Sequence, residues 1–185
     1  MQNQIKIFVS KDWVDYELLD TGEGEKLERF GPYTFVRPYE DAVWPKTLSE
    51  KEWNKADGKF WSSKAGAKAG WKMQNSLPSG LTAGGWEMQY KGIKFLASPT
   101  PFRHLGFFPE QASHWDFIQT KVNEAMAPQG LALRSQPVKF LNLFGYTGVA
   151  SLFALRAGAE VTHLDASKQS LNSAKENQKL NTELA

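Results

Sequence analysis

Residues 140–152 read Phe-Leu-Asn-Leu-Phe-Gly-Tyr-Thr-Gly-Val-Ala-Ser-Leu, and residues 160–165 read Glu-Val-Thr-His-Leu-Asp. The first stretch passes from an apolar run, typical of a buried strand, through a turn with Gly145 and Gly148 into a compact helical segment. Glycine adopts a positive φ readily and has no side chain, so such a turn brings backbone N–H groups and a helix N-terminus close to a ligand. The pattern predicts a cofactor-binding loop, although the same glycines would also suit a plain strand-to-helix turn.

The spacing of these glycines restricts the class of cofactor. A dinucleotide-binding loop carries Gly-x-Gly-x-x-Gly and a P-loop ends in Gly-Lys-Ser or Gly-Lys-Thr, whereas this loop reads Gly145-x-x-Gly148. Asp165 ends the second apolar run, where doubly wound folds place an acidic side chain that accepts hydrogen bonds from ribose hydroxyls. The sequence therefore predicts a loop that binds a nucleoside cofactor and lacks the glycine and lysine pattern that binds phosphate groups. The alternative role for Asp165 is to cap the next helix, for which Ser167 is equally suited.

The regions on either side of the loop predict two different architectures. From Ile5 to about Thr100, short β-prone runs alternate with Gly, Pro and Asp, as in antiparallel hairpins, and the Lys91-Gly92 dipeptide predicts a two-residue hairpin turn. Residues 51–70 are predicted to form an exposed loop or insertion. From Pro109 the apolar spacing becomes helical, and further strands and helices are expected at residues 138–144, 149–157, 160–164 and 167–181. We therefore predict an α/β protein, with a β-rich amino-terminal domain over residues 1–100. The first half (β-α-β-α) of a Rossmann-like sheet follows over residues 101–185.

Several segments of the chain are similar to one known family. Leu141–Ser151 and His163–Ser167 are similar to its first and second cofactor motifs, and residues 102–115 to the segment before its catalytic sheet. Residues 15–20, 27–31 and 37–38 are similar to its amino-terminal β domain. The family is that of class I S-adenosylmethionine-dependent methyltransferases related to bacterial 23S ribosomal RNA cytosine-5 methyltransferases. The resemblance covers nearly the whole chain, and it implies S-adenosylmethionine as cofactor and a base of ribosomal RNA as substrate.

The resemblance also implies which residues bind the cofactor. In the family the glycine loop lies under the methionine part of the cofactor, and the second-strand acid, here Asp165, holds the ribose. The implied set is Asn142, Phe144, Gly145, Tyr146, Thr147, Gly148, Asp165, Ala166, Ser167 and Gln111. The family usually has Asp at the position of Asn142, which leaves an amide or a water-mediated contact to the cofactor's ammonium group.

No catalytic residue is assigned. The family's Asp-Pro-Pro-type motif and nucleophilic cysteine follow the segments matched here, and this sequence of 185 residues contains no cysteine. We therefore expect the domain over 101–185 to be truncated, and the chain by itself to be inactive and prone to self-association. His104 and His114 have no carboxylate or nucleophile at an interpretable spacing, which favours structural or surface roles.

A lysine-rich segment suggests a second binding surface. Lysines recur between residues 51 and 72, interleaved with Trp53, Phe60, Trp61 and Trp71. Single-stranded RNA binding requires cations over phosphates and aromatic rings under unstacked bases. We predict RNA contacts for Lys59, Lys64 and Lys68. The alternative is a solvated insertion whose aromatic residues pack on the core.

The composition narrows the remaining classes. Lys and Arg number 22 against 20 Asp and Glu, so no strong general attraction to nucleic acid is expected. The absence of cysteine excludes disulfides and zinc–thiolate sites, and no metal site is suggested. The sequence lacks a signal segment and a long apolar run, so we expect a cytoplasmic protein with no membrane partner. Two alternatives stay open: a non-catalytic module that binds S-adenosylmethionine or RNA, and a Rossmann-type oxidoreductase disfavoured by the glycine spacing.

Overall fold

The computed structural model describes residues 7–61, 69–73, 85–127 and 136–184, and the chain divides into two compact units. The first, here called the β unit, comprises Trp13–Tyr90 and Leu96–Gly106. The second, the α/β unit, comprises Met1–Asp12, Lys91–Phe95 and Phe107–Ala185. Segments of the two units thus alternate along the sequence, and the domain boundary near residue 100 stays a prediction.

A five-stranded sheet forms most of the β unit. Its strands follow chain order across the sheet, and one short helix interrupts them. The elements are β1 Tyr16–Gly22, β2 Glu25–Phe30, β3 Tyr33–Pro38, α1 Glu50–Trp53, β4 Gly58–Trp61 and β5 Gly70–Met73. Neighbouring strands are antiparallel except β3 and β4, which are parallel.

The prediction of an exposed loop over residues 51–70 is wrong for the described part of that segment. Helix α1 begins with a capping box, in which Ser49 and Glu52 each bond the other's backbone N–H. The helix buries Trp53 in a core cluster with Leu27 and Val36. Parallel strands need a crossover connection, and the segment containing α1 provides it between β3 and β4. Residues 62–68 of the predicted loop lie outside the described residues.

A buried ion pair links two strands of the β unit. Arg37 on β3 donates to both carboxylate oxygens of Glu28 on β2, at 2.7 and 2.8 Å, and the Tyr16 hydroxyl donates to the same carboxylate at 2.8 Å. Burial by itself raises the pKa of the Glu28 carboxyl, but the Arg37 guanidinium and the neighbouring Lys26 outweigh burial and hold that pKa below its usual value. Glu28 is therefore a charged group whose desolvation is compensated by partners in the same sheet.

Two further strands, β6 Trp86–Tyr90 and β7 Ile93–Ala97, form a separate two-stranded sheet. The connecting residues Lys91 and Gly92 have φ of 48° and 83°. Positive φ at both central residues is typical of the tight turns that join hairpin strands. The hairpin predicted from the Lys91-Gly92 dipeptide is confirmed.

The α/β unit has the predicted β-α-β-α order. A 3-10 turn at Pro109–Gln111 leads into α2, and a second 3-10 turn, Thr182–Leu184, follows the last helix. Strands β8 and β9 pair in parallel, with Asn142 opposite His163. One face of this pair packs through Phe140 and Val161 on a cluster that includes Val122 and Ala154. The elements are α2 Ala112–Met126, β8 Lys139–Leu143, α3 Val149–Arg156, β9 Glu160–Leu164 and α4 Lys168–Lys179.

The opposite face of β8 and β9 is open, and it carries leucines beside Lys139, Glu160 and Thr162. Leu141, Leu143 and Leu164 are 55%, 56% and 50% exposed. Parallel sheets normally have both faces covered, so these exposures mark a face that lacks a covering layer among the described residues. In the same described part of the chain, every helix is too short or too polar to cross a membrane.

Candidate functional site

The loop from Phe144 to Gly148, which connects β8 to α3, has an unusual backbone. Phe144, Tyr146 and Gly148 have φ of 57°, 50° and 82°. A positive φ is uncommon outside glycine, and such strain concentrates at ligand-binding sites. Of the two loop glycines, Gly148 uses the positive φ that glycine permits, whereas around Gly145 the neighbours Phe144 and Tyr146 take that conformation instead.

Glycine is required at position 145 because a side chain has no room there, and not because the backbone has a positive φ. A Cβ at this position would overlap the imidazole of His163, and one at Gly148 would lie 3.0 Å from the Cβ of Ala174. Two hydrogen bonds hold the loop against its neighbours. The Gly145 N–H donates to the Leu164 carbonyl at 2.8 Å, and Asn177 on α4 donates to the Thr147 carbonyl at 2.8 Å. The glycines thus let the loop lie directly on β9 and α4.

Asp165 is tied to the glycine loop by its carboxylate. The Tyr146 N–H donates to Oδ2 and the Ser167 N–H donates to Oδ1, each at 2.8 Å. The bonds from Ser167 and then Tyr146 lower the pKa of the Asp165 carboxyl, which is therefore charged at neutral pH. Helix α4 is capped by Ser167, whose Oγ accepts from the Ser170 N–H, and not by Asp165. Each carboxylate oxygen keeps capacity to accept a further hydrogen bond from a ligand.

A cavity of about 350 Å³ opens beside the loop within the α/β unit. Its volume falls in the range of small-molecule sites. The cavity brings together six of the residues predicted to bind cofactor, namely Gln111, Asn142, Phe144, Gly145, Tyr146 and Thr147. Gly148 follows directly as the N-cap of α3, while Ala166 and Ser167 are exposed residues beyond Asp165.

Helix α3 presents its first turn to the cavity, because Val149 and Ala150 are among the lining residues. Its N-cap residue is Gly148, which has no side chain to accept a hydrogen bond from the first N–H groups of the helix. The first N–H groups of a helix have no partner within the helix, so a polar ligand can bind them.

The aromatic wall of the cavity was not predicted. Phe107, Phe108 and Trp115 also line the cavity, and the Phe108 ring lies 5.3 Å from that of Tyr146. Burial, followed by the nearby Asp165 charge, raises the pKa of Tyr146, so its phenol is neutral. Gln111, at the start of α2, bonds the His114 ring at 2.7 Å. The dense aromatic content of residues 102–115 was the available signal.

Two polar residues beneath the loop, Ser151 and His163, were also not predicted. The Asn142 Nδ2 donates to Ser151 Oγ at 2.9 Å, and Ser151 Oγ lies 2.9 Å from His163 Nδ1. We call this chain of contacts the Asn142–Ser151–His163 relay. Asn142 and His163 are polar residues at matching positions on the inner face of two parallel strands, a pattern that the sequence does contain.

The predicted RNA-binding lysines lie in the other unit or outside the described residues. The Lys59 ammonium lies 2.5 Å from Glu25 Oε1 and 5.1 Å from the centre of the Trp61 ring. Trp61 is 53% exposed. Lys64 and Lys68 lie outside the described residues.

Comparison with known proteins identifies relatives through structure. No family model and no curated protein matches the chain. An S-adenosylmethionine-dependent methyltransferase from Agrobacterium tumefaciens matches 97% of the chain at 39% identity and a TM-score of 0.79. A proposed S-adenosylmethionine-dependent methyltransferase from Streptococcus mutans matches 91% at 16% identity and a TM-score of 0.62. A further proposed methyltransferase, complexed with S-adenosylhomocysteine (SAH), matches 91% at 16% identity and a TM-score of 0.60.

These matches define the class of fold. The chain has the fold of an S-adenosylmethionine-dependent methyltransferase, and the predicted relation to class I methyltransferases is confirmed. The chain spans 53%, 43% and 42% of the length of these three solved structures. The closer relation to ribosomal RNA cytosine-5 methyltransferases stays a prediction.

Proposed function

We propose that this chain is the cofactor-binding part of a methyltransferase and that it binds S-adenosylmethionine in the cavity beside residues 144–148. The observation that carries the proposal is the joining of the glycine loop to a charged Asp165 at the carboxyl ends of two parallel strands. Ligands of open α/β sheets bind at this edge. Two of the similar solved structures are named as S-adenosylmethionine-dependent methyltransferases, and a third is complexed with SAH.

The residues present fit this cofactor. Asp165 offers oxygen acceptors for the two ribose hydroxyls, and the absence of side chains at Gly145 and Gly148 lets the loop approach a ligand closely. Phe107, Phe108 and Trp115 provide an apolar wall for the cavity. The cofactor supplies an electrophilic methyl group on sulfur, whose transfer depends mainly on positioning. The chain's own contribution is therefore to bind and orient.

Calorimetric titration of the purified chain with SAH and with NAD tests this proposal. We expect saturable binding of SAH and none of NAD, because the loop lacks the close glycine pair that admits a pyrophosphate. Binding of NAD in preference to SAH would support the oxidoreductase alternative. No binding of either ligand would contradict the proposal.

We further propose that the substrate is an RNA base, with ribosomal RNA the favoured class. The resemblance to RNA cytosine-5 methyltransferases supports this, as does one face of β4 and β5. Lys59 and Trp61 are two residues apart on β4 and therefore share one face of the strand. Lys72 on β5 is the register partner of Lys59. The half-buried Lys59 and the exposed Lys72 beside the exposed Trp61 ring suit single-stranded RNA. A phosphate would have to displace Glu25 from Lys59.

Replacing Lys59, Lys64 and Lys68 by Gln tests the RNA proposal. Each lost phosphate contact on single-stranded RNA should reduce the slope of log affinity against log salt by about 0.7. The matched control replaces Lys121, Lys175 and Lys179 of the α/β unit, which gives the same change in charge. RNA affinity should fall for the first triple variant and not for the control. Equal slopes in the two variants would contradict this surface assignment.

A further inference from the structure

The Asn142–Ser151–His163 relay lies directly beneath the candidate cofactor site. Asn142 lines the cavity, Ser151 is 6% exposed on α3, and His163 underlies Gly145. The two links measure 2.9 Å each. The His163 Nε2 is buried and makes no hydrogen bond to any described residue. A role for this relay in ligand binding rests on the cofactor-binding function proposed for the cavity.

The direction of the relay determines which end of Asn142 meets the cavity. A serine hydroxyl has one proton to donate. Asn142 Nδ2 donates to Ser151 Oγ, and with His163 in the tautomer protonated at Nε2 the hydroxyl proton is donated to Nδ1. The amide nitrogen is thereby engaged beneath the loop. The Oδ1 of Asn142 is the end that remains for a ligand.

The reverse direction would present the opposite chemistry. If the Ser151 hydroxyl donated to Asn142 Oδ1, the amide nitrogen would face the cavity and offer only donors. An ammonium group also has only donors, so such an Asn142 could not bind it. The family's usual aspartate offers an acceptor in either orientation, whereas an asparagine depends on its neighbours for orientation.

We propose that Ser151 and His163 are positioning residues that hold Asn142 Oδ1 toward the cavity as an acceptor for the cofactor's ammonium group. The relay makes the site selective for a nucleoside thioether that carries an amino acid. His163 acts as the terminal acceptor through Nδ1, with its ring held by packing against Gly145. Neither residue touches the cofactor.

Titrations with SAH and with 5′-methylthioadenosine, which lacks the amino-acid part, test this role. Ser151→Ala should weaken SAH binding about tenfold and change the binding of methylthioadenosine by no more than about twofold, because only the hydrogen bond to the ammonium group is lost. Ser170→Ala, which removes another buried serine hydroxyl of the same unit, is the control and should leave both affinities unchanged.

The Asn142→Asp background provides the critical comparison. Both carboxylate oxygens are acceptors, so adding Ser151→Ala should change SAH affinity by no more than about twofold there. His163→Phe keeps a planar ring on Gly145 while removing Nδ1, and it should reproduce the selective loss of SAH binding if Ser151→Ala does not fold.

The possible failures are distinguishable. A parent chain that binds neither ligand overturns the proposed function and this inference with it. A parent that binds both ligands, with variants that weaken both equally or neither, rejects the inference alone. A tenfold loss that persists in the Asn142→Asp background also rejects it.

Discussion

Asp165 is the residue on which the proposed cofactor site depends most. We expect Asp165→Ala to weaken S-adenosylmethionine binding by about tenfold to a hundredfold, since hydrogen bonds to a charged group contribute about 1.5–3 kcal/mol. Asn142→Ala should weaken S-adenosylmethionine binding less than Asp165→Ala does, because it removes one neutral hydrogen-bond acceptor. Calorimetry of both variants measures the difference, with Asp116→Ala, which removes an exposed carboxylate paired with Lys91, as the control. Unchanged affinity for Asp165→Ala would remove that residue from the site.

Glu28 makes the clearest electrostatic contribution to stability. Its pKa is lowered in the folded state, so its contribution is present above the unfolded pKa of about 4.3 and is lost as the pH falls through the folded value. Glu28→Gln leaves Arg37 buried without its partner and should destabilise the β unit by about 3 kcal/mol at neutral pH. Denaturant unfolding of the variant and parent across acidic pH measures both effects.

The exposed pair of Glu17 and Arg29 is the control for Glu28, since surface pairs contribute little. Glu17→Gln should change stability by less than about 1 kcal/mol. Equal effects of the two substitutions would show that burial of the Glu28–Arg37 pair is not the cause.

At the scale of secondary-structure elements, the glycine loop is defined by its contact with β9. Gly145→Ala should destabilise the α/β unit by about 1–3 kcal/mol, because the new Cβ must displace the His163 ring. Gly70→Ala is the control, since a Cβ there meets nothing within 4 Å. Thermal unfolding compares them.

Adding His163→Ala to Gly145→Ala tests the cause, because the substituted ring leaves room for the Cβ. The cost of Gly145→Ala should become smaller in that background. The same cost with and without the imidazole would mean that the loop needs glycine for another reason.

The sequence predicted the elements that have strong local signals. The loop from β8 to α3, the strand β9 and the Lys91-Gly92 hairpin were found because periodicity and turn residues specify them locally. Helix α1 and strand β4 were missed, since they lie in or beside residues 51–70, a segment rich in Lys, Gly and Ala that resembles a loop. They are stabilised by Trp53 in the core and by pairing with β3, which are contacts distant in sequence.

Only the part of the cavity that is formed by residues adjacent in sequence could be predicted. Its glycine-loop side is one continuous stretch of sequence, so Asn142 to Thr147 could be named. Its aromatic wall comes from α2 and the preceding 3-10 turn, and the relay joins β8, α3 and β9. No spacing rule connects residues that meet only when these elements pack.

For the whole molecule, we expect the open face of β8 and β9 to promote self-association in solution. Exposed leucines on paired parallel strands favour burial against a second copy of the chain. We expect the mass measured by light scattering to rise with concentration. Leu141→Glu with Leu143→Glu should suppress this rise, whereas Val43→Glu, which alters an exposed apolar residue of the β unit, should not. A concentration-independent monomer mass for the parent would contradict the expectation.

The most direct test of the central claim is a crystal structure of the chain with SAH. We predict SAH in the cavity beside residues 144–148, with both ribose hydroxyls donating to Asp165 and the amino group beside Asn142 Oδ1. Ligand density at another place on the chain, or ribose hydroxyls distant from Asp165, would contradict the proposed cofactor site.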